Sequence, residues 1–183
     1  MKKIIFSLTT ILLISCNSTD KKFLITNNNV GLLPKGLLVS KLDSVFAKDS
    51  LVKTAFEGEF RYASDERIMV FEKSGDKKQL LEITPSLPEG NNPQVVQDIQ
   101  IMDERFATEK GICLKSTFAD IKKVYKEFDV EASLMSVIVS PKESSLYFVF
   151  DKSELMASNT GEYTLNDIPD TATIKRLMVT WVK

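Results

Sequence analysis

The sequence predicts an α+β fold of two tandem repeats, each one helix followed by an antiparallel β-hairpin and a further strand or strands, with the helices packed on a sheet. Three observations carry this. Phe118, Ile121, Val124, Tyr125 and Phe128 recur at the spacing of one buried helix face. Val39, Leu42, Val45 and Phe46 repeat the start of that face 79 residues earlier. Phe71-Glu72-Lys73 in turn stands 79 residues before Phe150-Asp151-Lys152, and each triplet closes a strand-like run.

Taken in order, the chain opens with a segment that belongs to targeting. Lys2 and Lys3 precede a mostly apolar stretch of 11 residues, 4–14. A bilayer span needs about 20 apolar residues, so this stretch reads as the core of a secretory signal, residues 1–15, that is removed. The tetrad Leu13-Ile14-Ser15-Cys16 resembles the bacterial lipobox. That resemblance implies that Cys16 accepts diacylglycerol and becomes the new N-terminus. Asn17 is not the Asp that favours inner-membrane retention, so it also points to the outer membrane of a Gram-negative cell. Several acyl chains on one residue hold a protein on a bilayer, where a single chain binds only marginally. Residues 16–22 are polar and lack apolar periodicity, as expected of a lipidated tether.

The first repeat is expected over residues 23–102. Its helix carries Val39 to Phe46, and strand-like runs follow at 56–62, 67–72, 79–84 and 96–101, with turn residues at 63–66. The second repeat is expected over residues 103–183. Thr117-Phe118-Ala119-Asp120 has the form of a capping box, with Asp where Glu or Gln is usual, and starts the second helix. Runs at 134–139 and 145–151 flank the turn 141–144, residues 162–165 are looser, and 174–179 matches 96–101 with a shift of one. A unit of about 80 residues buries little core alone, so the two are expected to pack together.

Gly111-Ile112, Lys115-Ser116-Thr117, Asp120-Ile121 and Tyr125, followed by a hairpin and a last strand, resemble a G-I-x-x-G-S-T-x-x-D-V-x-x-x-Y pattern of uncharacterised bacterial lipoproteins. Lys115 stands where that pattern has Gly. The helix-then-strands unit is similar to the β-lactamase-inhibitor-protein fold and to outer-membrane-assembly lipoproteins of the SmpA/BamE type. The resemblance implies a fold more than a partner, because one fold hosts many functions.

Composition excludes several chemistries. The 183 residues include no histidine, which removes the commonest general base and metal ligand and with it the usual Ser and Cys triads. No Gly-rich phosphate loop, Gly-x-Ser-x-Gly elbow or Cys-x-x-Cys is present. No cofactor, metal site or catalytic set is therefore expected. With Cys16 acylated, Cys113 has no partner for a disulfide. It is flanked by Ile112 and Leu114 just before a helix and reads as a small buried hydrophobe rather than a reactive thiol. Without Lys2 and Lys3 the chain holds 22 basic and 25 acidic residues, a net charge of −3 with no dense basic patch, so nucleic acid is not an expected partner. Carboxylate chemistry survives the missing histidine. Glu57 and Glu59 would share a strand face, and Asp103 and Glu104 adjoin. The expected function is thus a non-enzymatic envelope lipoprotein that binds or scaffolds another envelope protein, with the bilayer as its other partner through Cys16. The alternative is a carboxylate-dependent envelope hydrolase acting on glycans.

Overall fold

The computed structural model describes residues 20–55, 66–87, 90–155 and 162–181. After a 3-10 turn at Lys21–Phe23 come three two-residue strands, β1 (Leu24–Ile25), β2 (Asn29–Val30) and β3 (Leu33–Pro34). A second 3-10 turn runs into α1 (Leu42–Val45), then β4 (Asp49–Ala55), β5 (Glu66–Glu72), β6 (Gln79–Pro85) and β7 (Val96–Ile101). The short β8 (Ala107–Thr108) precedes α2 (Phe118–Val124), β9 (Phe128–Ala132), β10 (Ser136–Pro141), β11 (Leu146–Asp151) and β12 (Arg176–Thr180).

Eight of these strands form one antiparallel sheet in the order β4-β5-β6-β7-β12-β11-β10-β9, and a small sheet runs β3-β2-β1-β8. This corrects the expected fold. The described residues are mostly β, 43% strand against 16% helix, and the helices span only four and seven residues. Two helix-plus-hairpin repeats are not what the sequence builds. The 79-residue offset equates β5 with β11, yet in the sheet β11 stands opposite β6 about the centre and β5 stands opposite β10. Unequal connections cause the mismatch: ten residues lie between β4 and β5 but three between β9 and β10, and 24 separate β11 from β12. The strand expected at 56–62 lies outside the described residues.

The helices are short for local reasons. Val39, Leu42, Val45 and Phe46 make one 3-10 turn and one α turn, and Asp49 already belongs to a strand. Tyr125 is extended, at φ −118 and ψ 148, so α2 stops there and Phe128 opens β9 instead of continuing the helix. At its other end the Asp120 carboxylate accepts from the Thr117 N–H at 3.1 Å and from its hydroxyl at 3.0 Å, closing the expected cap. Lys123 at 2.9 Å, with these bonds, holds the Asp120 carboxyl down at about 2.

Strand alternation sends every second side chain to one face. There Val70, Leu81, Ile101, Leu177, Phe148 and Val139 stand in one cross-strand row over six strands, each 2% exposed or less. α1 lays Leu42 and Phe46 on this face, α2 lays Phe118 and Ile121, and the small sheet adds Ile25, Val30 and Leu33. The long β11–β12 connection completes the layer with Ile168, Ala172 and Ile174. It is tied to α2 by the Phe118 and Ala119 N–H groups, which donate to the Ala172 and Asp170 carbonyls at 3.0 Å each. Phe118 meets Phe150 edge to face at 5.6 Å.

Candidate functional site

The other face of the eight-stranded sheet has a different composition. Met69, Glu82, Gln100, Met178 and Tyr147 form one cross-strand row, and Thr84, Asp98 and Thr180 form the next. The row from Met69 to Tyr147 is half-buried, and Val52 on the edge strand is 41% exposed. Val149, 2% exposed, is among the described residues the one buried apolar residue that stands apart from the core cluster, and it lies on this face opposite Arg176 and Ile138. Both described helices and the small sheet contribute to the core on the first face, so among the described residues this second face carries no layer.

Its centre is a hollow of about 300 Å³ lined by Arg67, Glu82, Thr84, Asp98, Gln100, Tyr147, Arg176 and Met178. Arg67 Nε lies 3.7 Å from Glu82 Oε1. Burial, together with the neighbouring Asp98 charge and against Arg176, pushes the Tyr147 hydroxyl up to about 12. Tyr147 is therefore a neutral donor at physiological pH. The lining brings together two guanidinium groups, two carboxylates, an amide, a phenol and a thioether, which hydrogen-bond and pack. Such a set can hydrogen-bond to a polar ligand and pack against its apolar parts. Met suits a surface that must adapt to a partner, and Met69, Met102 and Met178 all lie outside the core cluster.

A second hollow, about 480 Å³, lies at the end of the first face among Asn27, Lys110, Tyr125, Glu127, Pro141 and Glu143. Lys110 Nζ sits 4.2 Å from the Tyr125 ring centre and donates to the Val124 carbonyl at 3.2 Å, so its charge is already engaged. Burial raises the Tyr125 hydroxyl above its ordinary range, against a hydrogen bond with Thr108.

A third feature is a charge cluster where the N-terminal turn meets the sheet. Asp49 and Glu72 face each other across β4 and β5. Lys22 Nζ stands 3.2 Å from Asp49 and 3.8 Å from Glu72. Arg105 reaches Glu72 at 3.0 Å and makes two bonds of 2.8 Å to Asp103, whose side chain is 4% exposed. The guanidinium also lies 4.4 Å from the Phe23 ring centre. Two cations bridge three carboxylates here and fasten the start of the folded domain to the sheet.

The residues singled out in the sequence fall as follows. Cys16, Glu57 and Glu59 lie outside the described residues. Asp103 and Glu104 are not brought together as an acid–base pair. Arg105 holds Asp103 below the usual carboxylate range, and Glu104 pairs with Lys115 at 2.7 Å. Cys113 is half-buried beside Ser116, whose Oγ is 3.9 Å from its sulfur. Ile112 is buried and Leu114 packs on the core. Gly111, at φ +81, makes the turn that leads into them. Among the described residues no group of three or more Cys, Asp or Glu is placed to hold a metal ion. Sequence reasoning missed the open-face hollow. Its residues come from five strands, and only the pairing register joins them.

No family model matches this chain, and no curated protein matches it. The crystal structure of the uncharacterized protein YfeY from Escherichia coli is similar in fold, with a TM-score of 0.55 over 84% of this chain and 97% of that one. The two sequences are 12% identical, so the likeness is one of fold alone.

Proposed function

We propose that this protein is a lipid-anchored, non-enzymatic binding module of the bacterial envelope, held to the outer membrane by acylated Cys16 and engaging another envelope protein through the open face of its sheet. The observation that carries the binding role is that face, with its mixed apolar and charged row and its hollow of about 300 Å³. The basic, apolar and small-then-Cys order of residues 1–16 supports the anchor. No helix among the described residues is long and apolar enough to cross a membrane.

Fractionation tests the anchor. Wild-type protein should sediment with membranes, and Cys16→Ala should be released or left unprocessed; identical partitioning of the two contradicts the reading. Purification of the lipidated protein from its own envelope tests the face. Met178→Lys, which leaves the core untouched, should lose the protein that co-purifies with wild type, and full retention argues against this surface.

A further inference from the structure

The hairpin that joins β9 to β10 ends in the most exposed apolar side chains of the described residues, Leu134 at 89% and Met135 at 68%. They sit in an uncharged run of ten residues, 132–141. Half of the backbone groups of residues 133–136 are bonded within the protein. The Ser133 N–H donates to the Ser136 carbonyl at 2.9 Å, the Ser136 N–H donates to Ser133 Oγ at 3.2 Å, and the Met135 carbonyl accepts from the Lys152 N–H at 3.0 Å. Two large apolar side chains held outward on a tight turn gain nothing from water. A turn whose own residues carry no charge, and half of whose backbone groups are already bonded, loses less than a charged or fully open one on entering a medium that cannot hydrogen-bond.

We propose that Leu134 and Met135 insert into the lipid bilayer and fix how the anchored domain stands on the membrane. The inference rests on the anchor reading above. Cys16 precedes Lys21, which opens the first described turn, by five residues, and such a stretch spans at most about 18 Å. Lys22 is held at the ends of β4 and β5 by Asp49 and Glu72. The antiparallel pairings put the start of β4 and the end of β5 at the same end of the sheet as the end of β9 and the start of β10. The tether therefore joins the domain at the end of the sheet that carries the tip, and the bilayer that holds Cys16 lies on that side. A protein partner for the tip is the competing outcome.

The test places a tryptophan at the tip, as Leu134→Trp, or at the opposite end of β10, as Lys142→Trp. Both are made in the full-length gene with Trp181→Phe, and folding is checked by circular dichroism. Protein recovered from membranes is reconstituted into phosphatidylcholine vesicles containing brominated lipid. The proposal expects blue-shifted emission at 134 and quenching roughly threefold greater there than at 142, since a side chain at the headgroup–acyl boundary lies within reach of the bromines. Water-exposed emission at 134, or equal quenching at both positions, on protein that floats with the vesicles overturns it. If the anchor reading fails, the protein is found soluble with a free thiol at Cys16. It is then coupled through that thiol to maleimide lipid, in a Cys113→Ser background. Stronger quenching at 134 than at 142 again supports insertion, and equal quenching again overturns it.

Discussion

Replacing Arg105 with Met would remove the charge that compensates Asp103 while keeping most of the side-chain volume. Asp103 is 4% exposed and receives two guanidinium bonds of 2.8 Å, and Glu72 would keep only Lys22 at 3.8 Å. Stripping one partner from a fully buried pair costs about 3–5 kcal/mol. The Arg105 side chain is 40% exposed and so partly screened, which brings the expected loss to about 2 kcal/mol. In a domain of this size that is a fall of roughly 4–8 °C in Tm. Urea unfolding followed by circular dichroism measures it. Asp103→Asn with Arg105→Met should be less damaging than Arg105→Met alone, because no uncompensated charge is left behind. The sign with pH follows from the lowered Asp103 pKa. Its stabilisation is complete above the unfolded value near 4 and is lost as pH falls through the folded value. The gap between wild type and Arg105→Met should therefore narrow on acidification from pH 6 toward pH 3. A loss under 0.5 kcal/mol, or a gap that does not change with pH, would refute the reasoning.

Thr117→Ala should cost about 0.5–2 kcal/mol through the lost cap, read by the same unfolding assay. Because Asp120 sits at about 2 in the folded protein, protection of the first turn of α2 from amide exchange should hold above pH 4 and fade as pH drops toward 2. Gly31→Ala should destabilise more than Gly111→Ala. Both have positive φ, but a Cβ at Gly31 meets the Lys22 carbonyl at 2.2 Å whereas one at Gly111 meets nothing within 4 Å. Cys113→Ser should leave folding and envelope binding nearly unchanged, and loss of binding in a folded Cys113→Ser protein would make the thiol a site.

Much of the strand content could be read from alternation and turn residues. The run at 96–101 is β7 to the residue, and the run expected at 67–72 begins one residue earlier, at Glu66. The fold class was not readable, for a physical reason. Phe118, Ile121, Val124, Tyr125 and Phe128 fit one helical face, but a window this short also fits a helix that ends at Val124 and a strand that starts at Phe128. Long-range register has no trace in a single sequence. Arg67, Glu82, Asp98, Tyr147 and Arg176 lie up to 109 positions apart and meet only because β5, β6, β7, β12 and β11 are neighbours. The same limit hid the ion cluster. Asp103 invited a catalytic reading while its partner Arg105 stood two residues away, and Glu72 and Lys22 joined them only through the fold.

The central claim is that the open sheet face meets a protein partner in the envelope, and site-specific photo-cross-linking in the living cell tests it most directly. A photoreactive residue in place of Met178, on the open face, is compared with one in place of Lys122, on the exposed side of α2, both in full-length protein at native level. One discrete adduct of defined mass is expected from position 178 and none from 122. Adducts from 122 alone, or none from 178 in membranes that contain the protein, would contradict the claim.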